Sequence, residues 1–302
     1  MPAVKDVAII GAGPAGIAAA IYLRRAGADF VLIEKGEVGG LLRSANLVEN
    51  YPGFPSGISG LDIASVFEEQ METLSIRPKK AAVTRLDAEK NSLRIETDSG
   101  SLRSKNVIIC TGTVPRRLEL EGTEGPAGKR ILYEVNSVPE ITAKSGAVLI
   151  VGGGDAAFDH ALKLKARGRD VKIISRSRPR CLPLLMQRVK KERIEIITAD
   201  PKAIRKIPEG IELDCVSGKR KMSLKGELLL VAIGRLPKID FLGPKLKKNL
   251  KILNKGPETN IEGLYLAGDV VGGSYRQTGI AVGGGILAAM MVQDSLARGG
   301  VG

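Results

Sequence analysis

A chain of 302 residues with 43% apolar content is long enough to pack two domains of ordinary size. It has no uninterrupted apolar run of the about 18 residues that would mark a membrane span, and Met1 to Lys5 lacks the charged and apolar regions of a signal peptide, so a cytoplasmic protein without a membrane span is expected. The net charge of +13 is scattered apart from Lys219 to Lys221 and the run Lys245 to Lys255; with aromatics at 3% and no Trp there is no base-stacking platform, and nucleic acid is not an expected partner.

The first element is a short apolar run, Val7 to Ile10, which reads as a buried parallel strand. The turn Gly11-Ala-Gly-Pro-Ala-Gly16 follows, then an amphipathic helix closed by Gly27, then a second apolar strand ending at Glu34. The same grammar returns, without a gap, from Val148 to Arg176. Gly11 pairs with Gly152, Gly13 with Gly154, Leu23 with Leu164, Gly27 with Gly168 and Ile33 with Ile174. Each copy is a β-α-β unit with the glycine pattern of a dinucleotide site. The first glycine permits the tight turn and the second lets backbone approach a pyrophosphate. The third, Gly16, lets helix and strand pack closely; Ala157 holds that place in the second copy. The helix start then offers unpaired N–H groups and a positive dipole end to phosphate.

The copies differ at the tip of the second strand. Glu34 is placed to accept from ribose hydroxyls and repels a 2′-phosphate. Its counterpart is Ser175, followed by Arg176, Arg178 and Arg180, which suit a 2′-phosphate because guanidinium binds phosphate as a rigid fork. The second site is therefore expected to prefer NADPH over NADH. Toward the C-terminus, Gly263 to Asp269 reads as a strand ending in Gly-Asp, and Val282 to Leu296 reads as a helix. A carboxylate at such a strand tip can hold the polyol chain of a flavin, and the helix start can face the electron-rich edge of its ring.

Several further motifs stand in order: Gly39-Gly-Leu-Leu42, Glu49-Asn-Tyr-Pro-Gly-Phe-Pro55, Thr111-Gly-Thr-Val-Pro-Arg116, Val231-Ala-Ile-Gly-Arg-Leu-Pro237 and Tyr275-Arg-Gln277. With the two glycine loops and Ala267-Gly-Asp269, the whole chain resembles the low-molecular-weight thioredoxin reductase family of flavoproteins. The resemblance implies an α/β fold of two Rossmann-like (three-layer ββα) dinucleotide-binding domains, the second inserted into the first. The implied spans are 1–114 and 238–302 for an FAD domain and 115–237 for an NAD(P)H domain, with joints near Thr113–Arg116 and Arg235–Asp240. It also implies a homodimer. Carried over by position, the FAD contacts are Gly11, Gly13, Ala15, Gly16, Glu34, Gly40, Leu41, Asn50, Val83, Thr111, Gly112, Asp269, Arg276 and Gln277. The NADPH contacts are Gly154, Asp155, Ala156, Arg176, Arg180, Ile233 and Gly234.

The resemblance breaks at one motif. The redox-active C-x-x-C of the family would place its cysteines at about Val135 and Val138, within Tyr133-Glu-Val-Asn-Ser-Val-Pro139. The three cysteines present, Cys110, Cys181 and Cys215, have neither metal nor redox spacing, so no metal site is expected. Cys110 and Cys215 read as packing residues, while the arginines before Cys181 would lower its thiol pKa. His160 reads as a helix-surface or packing residue, and the chemistry is flavin-borne with no catalytic side chain nominated. Disulfide exchange needs two working thiols. The expected reaction is therefore hydride transfer from NAD(P)H to FAD, then delivery to a non-disulfide acceptor: ferredoxin, a quinone, oxygen or another small oxidant. Ferredoxin–NADP reductases of this superfamily also lack C-x-x-C, and a basic chain attracts an acidic ferredoxin. Two alternatives stay open. One is an enzyme driven by ferredoxin or reduced flavin without NAD(P)H; the other is an FAD-binding sensor or interaction protein without turnover.

Overall fold

The computed structural model describes residues 4–140, 146–253 and 256–299, so Met1 to Ala3 and Lys255 of the features above lie outside the described residues. In chain order the elements are β1 (Lys5–Ile10), α1 (Pro14–Arg25), β2 (Phe30–Glu34), α2 (Gly60–Thr73), β3 (Lys79–Lys80), β4 (Val83–Glu89), β5 (Ser92–Thr97), β6 (Gly100–Ile109) and β7 (Thr113–Pro115). There follow β8 (Ile131–Leu132), β9 (Val148–Val151), α3 (Asp155–Ala166), β10 (Val171–Ser175), α4 (Pro183–Lys191), β11 (Glu195–Thr198), β12 (Asp200–Ile207), β13 (Gly210–Ser217), β14 (Arg220–Gly226) and β15 (Leu228–Val231). The chain closes with β16 (Arg235–Pro237), α5 (Pro244–Asn249), β17 (Leu264–Leu266) and α6 (Thr278–Gly299). Its contacts form two compact units, one of Met1–Arg43, Val48–Val114 and Leu236–Gly302, the other of Ser44–Leu47 and Pro115–Arg235.

The first unit is built on one seven-stranded sheet, ordered β3-β2-β1-β6-β5-β4 with β17 also on β6. The long strand β6 makes this possible. From Ser104 to Ile109 it runs parallel to β1, and Val107 to Ile109 also pair with β17; from Gly100 to Ser104 it pairs antiparallel with β5. The buried parallel part and the β4–β6 meander are therefore continuous. Val7 to Ile10 are buried on both faces, which is why β1 reads as an unbroken apolar run rather than an alternation. Ala8 and Ile10 pack with Leu86, Leu93 and Ile95 of the meander.

Helices α1 and α6 of this unit meet through small residues: a Cβ added at Gly285 would collide with the carbonyl of Ala15. Ala281, Ala288 and Ala289 are buried. Helix α6 corrects one expectation. It starts four residues before Val282, and by length and composition Thr278–Arg298 is the one helix among the described residues long and apolar enough to cross a membrane. Its glycines, Gln293, Asp294 and Ser295 interrupt the apolar run, so a search for unbroken hydrophobicity passes over it.

The second unit has a five-stranded parallel sheet, β11-β10-β9-β15-β8, and a separate antiparallel sheet, β12-β13-β14. Strand β9 shows how three layers arise from four residues. Val148 and Ile150 pack with Phe158, Ala161 and Leu162 of α3. Leu149 and Val151 point the other way, onto Ile211, Leu213 and Cys215 of β13. A strand alternates its side chains, so an all-apolar strand demands cover on both faces. The fold is the Rossmann-like α/β architecture expected from the sequence.

Candidate cofactor-binding sites

In the first unit, Gly11 has φ +103°, and a Cβ there would lie 2.5 Å from the carbonyl oxygen of Cys110. The turn therefore needs glycine for conformation and for space. A Cβ at Gly16 would collide with the carbonyl of Gly11, so α1 can sit directly on its own loop only with glycine there. Gly13 is the opposite case. It precedes α1 in extended conformation, and a Cβ there would meet nothing within 4 Å. No side chain caps α1 and no acid stands in its first turn. The loop thus leaves an open cradle beside unpaired helix N–H groups, a fit for the pyrophosphate of a dinucleotide.

Glu34 is fixed at this cradle. Its Oε2 accepts from the Ala12 amide at 2.7 Å and its Oε1 from the Gly36 amide at 2.7 Å. Each carboxylate oxygen retains a lone pair for a ribose hydroxyl. Beside it lies a pocket lined by Gly11, Glu34, Lys35, Val83, Thr111, Lys238 and Phe241, with Ile10, Ile33 and Ala81 completing it. Gly112 lies next to Thr111 and accepts at 3.0 Å from the Lys238 amide. Of the candidates read from the sequence, Gly11, Glu34, Val83 and Thr111 line this pocket; Lys35, Lys238 and Phe241, which also line it, are not among those candidates. Lys238 carries no local signal, since it reaches the pocket from the chain's return into this unit.

The remaining first-unit candidates form local groups. Gly40 and Leu41 begin a 3-10 turn, with Gly40 backed on Gly13. Asp269 lies in the 3-10 turn Gly268–Val271, where Gly268 abuts Ala15 of α1. Asn50 Nδ2 donates to Gln277 Oε1 at 2.7 Å, and Arg276 stands next to this pair in the turn before α6.

The second unit repeats the cradle. The Gly152 amide donates to the Ile174 carbonyl at 2.9 Å, as that of Gly11 does to Ile33 at 2.8 Å. Gly154 precedes α3, and a Cβ there also would meet nothing within 4 Å. Asp155 and Ala156 follow it, both exposed. The arginine loop is tied to this cradle: the Arg180 amide donates to the Gly153 carbonyl at 2.7 Å, and the Leu182 amide donates to Asp155 Oδ1 at 2.8 Å. Arg176, Arg178 and Arg180 are exposed. Ser175 is buried, and its hydroxyl donates to the Ser177 carbonyl at 2.8 Å, turned away from the exposed arginines that follow it. Ile233 and Gly234 follow β15, where Gly234 accepts from the Arg116 amide at 3.0 Å.

The cysteine readings need one correction. The Cys181 thiol is raised above its ordinary pKa, first by burial and then by the Asp155 carboxylate, so the neighbouring arginines do not activate it. Cys110 is buried and its thiol strongly raised; Cys215 is buried and raised to about 11. Val135 and Val138 bracket a 3-10 turn and are 0% and 5% exposed, packed against Val148, Ile150 and Phe158. Burial, then Lys163 and Arg235, push the His160 imidazole down to about 4, so it is neutral at pH 7. Among the described residues no cluster of three or more metal-ligating side chains occurs.

Two glycine cradles, each between a parallel strand and a helix, define a protein with two dinucleotide-binding units. The family model for pyridine nucleotide-disulphide oxidoreductases matches residues 5–285, and the chain belongs to that family. It is 32% identical to the "34.2 kDa protein in rubredoxin operon" of Clostridium pasteurianum, covering 95% of this chain and 96% of that protein. It is 29% identical to thioredoxin reductase of Mycolicibacterium smegmatis, covering 98% and 97%. The crystal structure of Lactococcus lactis thioredoxin reductase superposes with a TM-score of 0.88 at 28% identity, covering 97% of this chain and 99% of that one. The chain is a flavin-dependent oxidoreductase of the thioredoxin reductase-like class, whose members use FAD and NADPH.

Proposed function

We propose that the chain passes hydride equivalents from NADPH to FAD and then delivers electrons to an acceptor that is not a disulfide. What carries this reading is a contrast: both cradles are kept, while the positions of the working thiols hold two valines buried in the core. When bound, NADPH supplies a hydride and FAD a carrier that accepts two electrons and can release them singly. The FAD domain is residues 1–114 and 238–302, and the NADPH domain is 115–237. Gly13 and the start of α1 receive the FAD pyrophosphate, Glu34 its ribose and Asp269 its polyol. Asn50, Arg276 and Gln277 serve the flavin end. Gly154, Asp155 and Ala156 receive the nicotinamide nucleotide, and Arg176 and Arg180 its 2′-phosphate.

The acceptor is a small acidic redox protein, a rubredoxin or ferredoxin. The +13 charge supports this by steering an anionic partner, as does the similarity to a protein of a rubredoxin operon. Anaerobic titration tests the donor: NADPH bleaches the flavin band, and Arg180→Ala raises the KM for NADPH about tenfold while that for NADH stays level. Equal efficiency with both nucleotides sinks the 2′-phosphate clamp. If NADPH leaves the band untouched, the enzyme takes its electrons from elsewhere.

The enzyme works as a cytoplasmic homodimer. The dimer is supported by Ile280, Leu287 and Met290, spaced to lie on one face of α6 and 53%, 45% and 44% exposed, an apolar stripe that a second copy would cover. Sedimentation at micromolar concentration is expected to show twice the chain mass; a single-chain mass overturns the dimer.

A further inference from the structure

We infer that Lys238 binds the adenosine diphosphate end of the dinucleotide in the first unit, through the charge on its phosphates, and that retention of FAD therefore depends on pH. This rests on the assignment of FAD to that unit. The backbone of Lys238 is clamped at the end of β6: its amide donates to the Gly112 carbonyl at 3.0 Å, and its carbonyl accepts from Thr111 Oγ1 at 2.6 Å. That anchorage delivers the side chain to the pocket shared with Gly11, Glu34 and Lys35, against the apolar wall of Val83 and Phe241.

The charged groups facing Lys238 are Lys35 and Glu34 from the end of β2 and Asp240 from its own segment. Glu34 is already engaged by two backbone amides. Burial and the Lys35 ammonium outweigh the attraction of the two carboxylates and bring the Lys238 ammonium down to about 8. Two cations held together in a half-buried pocket repel each other until an anion shares the space. They share their pocket with Gly11, the first residue of the turn that leads to Gly13 and the unpaired N–H groups of α1, where a pyrophosphate fits.

The sign follows from linkage. An arriving dianion raises the pKa of Lys238, so FAD binding takes up a proton. Affinity is therefore full below about 8 and falls as pH rises above it, until the higher pKa of the complex is passed.

The test uses the full-length holoprotein and follows release of fluorescent FAD on dilution, from pH 6.5 to pH 9.5. In the unaltered chain the FAD Kd is expected to rise about tenfold across the alkaline half of that range. Lys238→Met binds more weakly and loses the alkaline step. Lys238→Arg keeps the affinity and also loses the step, because a guanidinium does not titrate there; its recovery shows that the site has not merely unfolded. Lys35→Met moves the step to higher pH. A Kd independent of pH in the unaltered chain, or an unchanged step in Lys238→Met, overturns the inference while leaving FAD in the first unit. A chain that takes up no FAD at any pH overturns both.

Discussion

Gly13→Val yields a folded protein without flavin. The position has extended, ordinary backbone geometry, and a Cβ there meets no protein atom within 4 Å, so the fold is expected to accept it. The space it fills is the cradle before α1, where a dinucleotide phosphate has to approach the backbone. A branched side chain there excludes that approach, and FAD affinity is expected to fall at least about a hundredfold, or about 2.7 kcal/mol. Gly154→Val is the companion. It fills the second cradle, also free of protein atoms, so the protein stays yellow while NADPH no longer bleaches it. Gly16→Val separates these effects from damage to the fold, because its side chain collides with the Gly11 carbonyl and strikes the packing of α1 on β1. Visible spectra of the purified proteins and thermal melts by circular dichroism decide the matter. A Gly13→Val protein that keeps its flavin would sink the assignment of that cradle.

Removing every thiol leaves the flavin chemistry in place. A variant with Cys110, Cys181 and Cys215 all replaced by Ala is expected to retain NADPH-driven reduction of a one-electron acceptor within about twofold, since none of the three is an activated thiolate. The unaltered chain is expected to show no turnover with a thioredoxin disulfide, because exchange needs an attacking thiolate and a resolving thiol together. Nor does Val135→Cys with Val138→Cys create that activity. Both positions are sealed against Phe158, Val148 and Ile150, and a pair of sulfurs placed there has no route to a protein disulfide. Loss of flavin turnover in the cysteine-free variant would falsify the thiol-independent reading, as would thioredoxin reduction by the unaltered chain.

Much of the molecule was legible before any coordinates. The two β-α-β units, the glycine spacing and the change from Glu34 to Ser175 are written locally, because a tight turn, a buried parallel strand and a strand-tip acid each constrain a few adjacent residues. The absence of a C-x-x-C was equally plain, being a matter of residue identity alone. Only the tertiary structure decided the rest. Strand β6 serves a parallel and an antiparallel neighbour at once because its two ends meet different partners. The hydroxyl of Ser175 turns inward to Ser177, and Cys181 meets burial and Asp155 rather than the arginines beside it in sequence. Lys35 and Lys238 come together only because the chain returns to the first unit and docks on Thr111 and Gly112. Turn and strand patterns are set by neighbours along the chain, whereas burial, proton affinity and pocket membership are set by neighbours in space, which the order of residues does not encode locally.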